Sequence, residues 1–178
     1  MLQKCDRWEL LEPFFREPSR EFHLRELARI LGWSPGRVIR KIRDFIDEEI
    51  ILERKTKILK IYKANVESEK FKSLKILYNL NTLQELADFL EKELHYPEAI
   101  ILFGSVRKGE DFENSDVDIC VIGVKKEIDL SFFEKKINRR ISLVFLDGER
   151  LEKAKKEAPE LLNNLINGIV LRGFFKVF

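Results

Sequence analysis

The segment GSVRKGEDFENSDVD, running from Gly104 to Asp118, holds the side chains best suited to chemistry. It leaves one apolar run, Ala99-Ile100-Ile101-Leu102-Phe103, through a glycine and a serine. It enters a second, Ile119-Cys120-Val121-Ile122, through two aspartates, Asp116 and Asp118. Side chains alternate faces along a strand, so carboxylates at i and i+2 project from one side. Two acids crowded there repel each other, a costly arrangement unless a cation sits between them. A glycine turn close by offers backbone N–H groups that suit a phosphate. Mg²⁺ and a nucleoside triphosphate are the ligands this combination fits. A calcium loop is excluded because the glycine and glutamate positions of an EF-hand are missing. A Walker phosphate loop is excluded because Glu110 and Asp111 follow Gly109 where Lys and Ser or Thr are needed.

The elements that must carry this segment can be read from spacing. Ala99 to Phe103, Val117 to Ile122 and Ile141 to Leu146 read as buried strands, and Ile169-Val170-Leu171 as a short last one. Leu130, Phe132, Phe133 and Ile137 predict a short helix, and 149–167 a helix broken near Pro159. The closing Phe174-Phe175-Lys176-Val177-Phe178 is expected to pack on the core or dock a partner. Upstream, from Val66 to Tyr96, two helices are expected, the second capped by Asn81 or Thr82. They either join two domains or supply an interface for a homodimer.

The first 64 residues predict three helices and a hairpin. Trp8, Leu11, Phe14 and Phe15 recur at helical spacing before Pro18-Ser19. Phe22, Leu24, Leu27, Ile30 and Leu31 form a second amphipathic stretch ending at Gly32. Ser34-Pro35 reads as an N-cap followed by proline at the first helical position of a third helix, from Pro35 to Glu48. Ile50-Ile51-Leu52 and 58–62 bracket a polar turn. The third helix buries Val38, Ile42, Phe45 and Ile46 and turns Arg37, Arg40 and Lys41 outward. Between residues 34 and 63 nine bases stand against five acids, a local charge of +4.

The pattern LRELARILGWSPGRVIRKIRDF followed by a hairpin resembles the winged helix-turn-helix family. That resemblance implies a recognition helix in the DNA major groove. Ser34, Arg37, Arg40 and Lys41 would face the DNA, and Arg54, Lys55 and Lys57 in the wing would touch phosphates. A basic face that is only solvated, on a domain that only dimerises, is the competing reading.

Gly104-Ser105, ten intervening residues and Asp116-Val117-Asp118 resemble the minimal nucleotidyltransferases of the DNA polymerase β superfamily, over about Leu83 to Leu171. The resemblance implies that Asp116 and Asp118 are catalytic and hold Mg²⁺. It also implies that Gly104, Ser105, Lys108 and Ser115 bind the nucleotide, with ATP the expected triphosphate. A third carboxylate is expected one residue into the strand after the short helix. There the chain reads Arg139-Arg140-Ile141-Ser142-Leu143, so a serine stands where an acid is expected. A neutral hydroxyl is a poor ligand for a hard dication and no general base at neutral pH. Asp147 lies five residues on, about 16 Å along a strand and on its opposite face.

The expected fold is therefore α+β: a winged helix-turn-helix domain over 1–65, over 66–96 a helical connector or the first helices of the C-terminal domain, and over 97–178 a nucleotidyltransferase fold with a small mixed sheet and flanking helices. The expected function is Mg²⁺-dependent transfer of AMP or another nucleoside monophosphate to an acceptor hydroxyl. In relatives of this size the acceptor can be a tyrosine on a helical partner of the HEPN family, within a toxin–antitoxin pair. The alternative is a DNA-binding transcriptional regulator or antitoxin whose nucleotidyltransferase-like domain binds nucleotide or a partner without transfer.

Composition bounds these readings. In 178 residues, 44% hydrophobic content supplies a core, and a net charge of +2 leaves nucleic-acid affinity to local patches. Cys5 and Cys120 match no metal or disulfide spacing. No run approaches the roughly 18 apolar residues of a membrane span, and MLQKCDRWELLEPFF does not resemble a signal peptide. A cytoplasmic location with no membrane partner is the expectation.

Overall fold

Helical spacing of apolar residues in the first region becomes three helices wrapped on a small sheet. The computed structural model describes residues 5–56 and 59–176. It divides into two units, Met1–Tyr78 and Asn79–Phe178. In the first unit α1 (Asp6–Arg16), β1 (Glu21–His23), α2 (Leu24–Leu31) and α3 (Pro35–Asp47) precede the hairpin of β2 (Ile51–Lys55) and β3 (Lys60–Ala64). The sheet order is β1-β3-β2, all antiparallel. Phe22 departs from the sequence expectation: it sits opposite Tyr62 in β1, fully buried, and not on the second helix. The hairpin leaves one edge of β3 unpaired, and three residues of extended chain satisfy it while placing Phe22 edge-on to Phe14. Helix α2 then starts at His23 with a capping box to Glu26 and closes at Gly32, whose φ of 65° suits the left-handed cap. Ser34 Oγ accepts a bond from Arg37 N at 3.3 Å, and Pro35 opens α3, as the Ser-Pro pair predicts. Leu10, Phe14, Leu27, Val38, Ile42, Phe45 and Tyr62 make the core of this unit. The expected wing contact Lys57 lies outside the described residues.

The boundary between units falls within α4 (Glu69–Thr82). Phe71 packs in the first core, whereas Leu83, Leu86 and Leu90 belong to the core of the second unit. Neither Asn81 nor Thr82 caps α5 (Gln84–Glu93). Both are still helical in α4, and Leu83 takes the cap position without a side-chain bond.

The second unit continues with β4 (Ala99–Phe103), α6 (Gly104–Lys108), β5 (Val117–Ile122), α7 (Ser131–Ile137), β6 (Ile141–Leu146), α8 (Gly148–Glu157), α9 (Pro159–Ile166) and β7 (Ile169–Gly173). Its sheet is mixed, in the order β6-β5-β4-β7, with β4 antiparallel to β5 and β7 and β5 parallel to β6. A parallel pair needs a crossover, and α7 provides it. Both faces are covered, which is why β4 and β5 read as continuous apolar runs. Ile100, Leu102, Ile119 and Val121 pack on one side with Leu86 and Leu90. Ala99, Ile101, Cys120 and Ile122 pack on the other with Leu146 and Leu165. Phe175 packs against this second side and Phe174 is exposed. Among the described residues no helix is long and apolar enough to cross a membrane.

Replacing Ser34 with Ala removes the cap of α3 and is expected to cost about 1 kcal/mol. Both tryptophans, Trp8 and Trp33, lie in the first unit. Urea unfolding followed by their fluorescence should show a lower midpoint at unchanged slope; an unmoved midpoint contradicts the cap.

Candidate functional site

At the end of β4 the chain turns into α6 at Gly104, with φ of 74°. The glycine-serine pair thus opens a one-turn helix and not the open turn expected, and Gly109, at φ of 70°, closes it. Glycine is needed at 104 for a second reason. A Cβ there would overlap Asp118 Oδ2 and stand 3.2 Å from Asp118 Cγ. The missing side chain therefore lets the Asp118 carboxylate lie against the Gly-Ser backbone. Ser105 follows in α6, half-buried, and its carbonyl accepts from Glu110 N at 3.1 Å.

Asp116 and Asp118 straddle the start of β5: Asp118 is inside the strand and Asp116 one residue before it. Both are half-buried. The Asp118 carboxyl is pushed above its ordinary value, first by burial and next by the negative charge of Asp116. A hydrogen bond from the Ser142 hydroxyl and the positive charge of Arg139 oppose that shift. The parallel register sets Ser142 directly beside Asp118. Asp147 is no substitute for the missing acid. It caps α8, its Oδ1 accepting from Arg150 N at 2.9 Å, beyond the far end of β6.

Two hard oxygen donors carrying like charges fit one Mg²⁺ ion, which Asp116 and Asp118 would hold. Among the described residues no group of three or more His, Cys, Asp or Glu could hold a metal. The donor set fits one ion and offers no carboxylate for a second.

Of the other expected nucleotide contacts, Lys108 is exposed at the end of α6. Ser115 shapes the loop itself, its Oγ accepting from Phe112 N at 2.9 Å. Sequence reasoning missed the residues beneath that loop. Asp111, only 3% exposed, accepts from Arg139 Nη1 at 2.8 Å and from Asn79 Nδ2 at 2.9 Å. No periodicity marks a buried acid in a loop, and its partners lie 28 and 32 residues away.

In the first unit the expected DNA contacts share α3 and the hairpin. Arg37 lies over the Trp33 ring, 4.0 Å from its centroid, and donates to Asp6 Oδ1 at 2.8 Å. Lys41 Nζ stands 3.3 Å from Asp6 Oδ2. These two bases, Arg37 first, hold the Asp6 carboxyl below its ordinary value. Asp6 is a second residue the sequence did not announce. Ser34 is spent as the cap of α3, Arg40 and Lys55 are exposed, and Arg54 pairs with Glu21 at 2.9 Å.

A small mixed sheet with its Gly-Ser helix set against an aspartate pair defines a nucleotidyltransferase-type α+β domain. The family model described as "Nucleotidyltransferase domain" matches residues 83–170, so the chain carries a nucleotidyltransferase domain. A search of curated proteins finds no match.

Asp118 has the opposite pH sign to most aspartates. Its folded pKa lies above its unfolded one, so the native state binds the proton more tightly and ionisation weakens the fold as pH rises through the folded value. In metal-free buffer at neutral pH, Asp118→Asn should raise the melting temperature by roughly 1–4 °C. The gain should shrink as pH falls through the raised folded value of Asp118 and be gone once pH lies below the ordinary aspartate value of about 4, where the carboxyl is protonated in folded and unfolded chains alike. A variant melting below wild type at neutral pH would contradict the electrostatic account.

Proposed function

We propose that this chain is a DNA-binding winged-helix protein whose nucleotidyltransferase domain takes up Mg²⁺ and a nucleoside triphosphate, ATP foremost, and transfers the nucleoside monophosphate to an acceptor hydroxyl. The observation that carries this reading is the fit of Asp118 against the Cβ-less Gly104. It sets the backbone suited to phosphate directly against a carboxylate suited to the cation, within a matched nucleotidyltransferase domain. Gly104, Ser105 and Lys108 would orient the triphosphate, and Asp116 and Asp118 would hold the ion. Mg²⁺, when bound, neutralises charge developing on the transferred phosphorus. In the transfer the acceptor hydroxyl gives up its proton to solvent, its oxygen bonds to the α-phosphorus, the bond to the bridging oxygen breaks, and pyrophosphate leaves. A tyrosine hydroxyl on a HEPN-type helical partner is the acceptor class to test first.

Ser142 favours a second reading, in which the domain binds nucleotide in a regulator or antitoxin and does not transfer. The hydroxyl beside Asp118 cannot receive the acceptor's proton at neutral pH or ligate a second ion well. Titration calorimetry of the full chain with Mg·ATP should show binding that Asp116→Asn and Asp118→Asn abolish; no heat from wild type refutes both readings. With ATP labelled on the α-phosphate and cell lysate, a labelled acceptor supports transfer. Label that appears only with Ser142→Asp supports the second reading.

For the first unit, α3 serves as the recognition helix and the hairpin as the wing, with Arg40, Lys41 and Lys55 on the DNA side. Arg40→Ala with Lys41→Ala should weaken binding to duplex DNA and lower the slope of log affinity against log salt by about 2. Unchanged affinity and slope would mean that the basic face is only solvated.

A further inference from the structure

The candidate site rests on a loop with no strand or helix of its own between Gly109 and Val117, and one buried polar chain spans it. Asn79 Nδ2 donates both to the carbonyl of Val106 in α6, at 3.1 Å, and to Asp111 Oδ1, at 2.9 Å. Asp111 Oδ2 accepts from Arg139 Nη1 at 2.8 Å, and Arg139 Nε donates to the Ser115 carbonyl at 2.7 Å. That carbonyl belongs to the peptide that leads into Asp116. One end of the chain therefore holds the helix that begins with Gly104-Ser105, and the other holds the backbone of the first metal-site aspartate. Its members lie largely out of water: Asn79 is 5% exposed and the Arg139 side chain 14%.

The sheet alone does not fix Asp116. The β5 ladder starts at Val117, whose N–H donates to Arg140 O at 2.9 Å. Arg139 itself is aimed from the turn after α7, where Asn138 adopts the left-handed conformation at φ of 54° and reverses the chain into β6. A guanidinium suits this place because Nε and Nη1 address two acceptors in one plane, which a lysine ammonium on a flexible stem does not.

We infer that Asn79, Asp111 and Arg139 are positioning residues that fix the distance between the phosphate-gripping helix and Asp116, and through it the affinity for a Mg²⁺-nucleoside triphosphate. The inference rests on the nucleotide-binding reading for its ligand, but the clamp itself can be tested without one. Arg139→Lys keeps the charge facing Asp111 and gives up the fork, so the fold should survive it; Arg139→Gln serves as a second variant.

Two measurements on the full chain separate the outcomes. In apo protein, Arg139→Lys should speed amide hydrogen exchange across 110–116 by roughly tenfold or more while β4 and β5 keep their protection. In calorimetry, Mg·ATP affinity should fall roughly ten- to a hundredfold at a temperature where the variant is fully folded. Unchanged exchange in the loop overturns the clamp, whatever binds. Faster exchange with unchanged affinity overturns the positioning role and leaves a purely structural one. A wild-type chain that fails to bind Mg·ATP overturns the nucleotide reading and with it the assigned consequence, and the clamp then stands or falls on the exchange alone.

Discussion

Two carboxylates two residues apart, half-buried where a strand begins, set the terms for everything near them. Partial burial and the negative charge of Asp116 both resist ionisation of Asp118. The raised Asp118 carboxyl shows that its neighbours do not cancel this cost. Arg139 supplies a compensating positive charge, yet it is already engaged by the buried Asp111. The Ser142 hydroxyl gives a neutral hydrogen bond, weaker than one from a cation. The fold thus keeps an incompletely compensated, half-buried negative pair and packs a backbone turn without a side chain against Asp118. Such an arrangement is unfavourable as pure structure and favourable as a receptor for a divalent ion. Perturbed acids concentrate at functional sites for this reason.

How much of this was legible in the sequence depends on the range of the interaction. Runs such as Ala99–Phe103 announce a strand buried on both faces, and the helical spacing of Val38, Ile42 and Phe45 announces the inner side of α3. Ser34-Pro35 marks a helix start because capping is local. The resemblance to the nucleotidyltransferases pointed to residue 142, and the parallel register sets it beside Asp118. What could not be read is settled by partners far along the chain. Phe22 stands just ahead of the apolar residues Leu24 and Leu27 of α2, yet pairing with β3 outweighs three residues of weak local preference. The boundary inside α4 has no glycine or proline to mark it, because a helix that serves two cores stays continuous. Asp111 looks like one more surface acid in an acidic stretch until Arg139 and Asn79 close over it.

Asp6 poses the same problem in the first unit, with a different energetic answer. It faces Arg37 and Lys41 at an exposed surface, and ion pairs of that kind contribute little to stability. Their effect is on geometry. Arg37 is held by Asp6 on one side and by the Trp33 ring on the other, so its guanidinium loses less freedom when it meets a new acceptor. In the proposed DNA complex phosphate oxygens would replace the Asp6 contacts, since they offer the same hydrogen bonds in a stronger field. Arg54 and Glu21 repeat the arrangement on the hairpin. Bases held by exchangeable acids bind phosphate with less ordering cost than free ones, and they discourage contacts that do not displace the acids.

The serine beside Asp118 can be argued by the same electrostatics. A third carboxylate at 142 would stand next to an acid whose ionisation is already disfavoured by burial and by Asp116. Without cations that would raise the cost of the site further, and only two bound ions would offset it. A serine donates to Asp118, lowers the cost of the empty site and asks for one ion only. Compared with an acid at 142, a serine favours the unliganded domain and, in the proposed transfer, would disfavour activation of a hydroxyl nucleophile, a trade commonly seen between stability and activity. A domain that must hold nucleotide and stay folded in its absence is served by that substitution. One that must turn over rapidly is not, and the difference lies in a single side chain at one register position of β6.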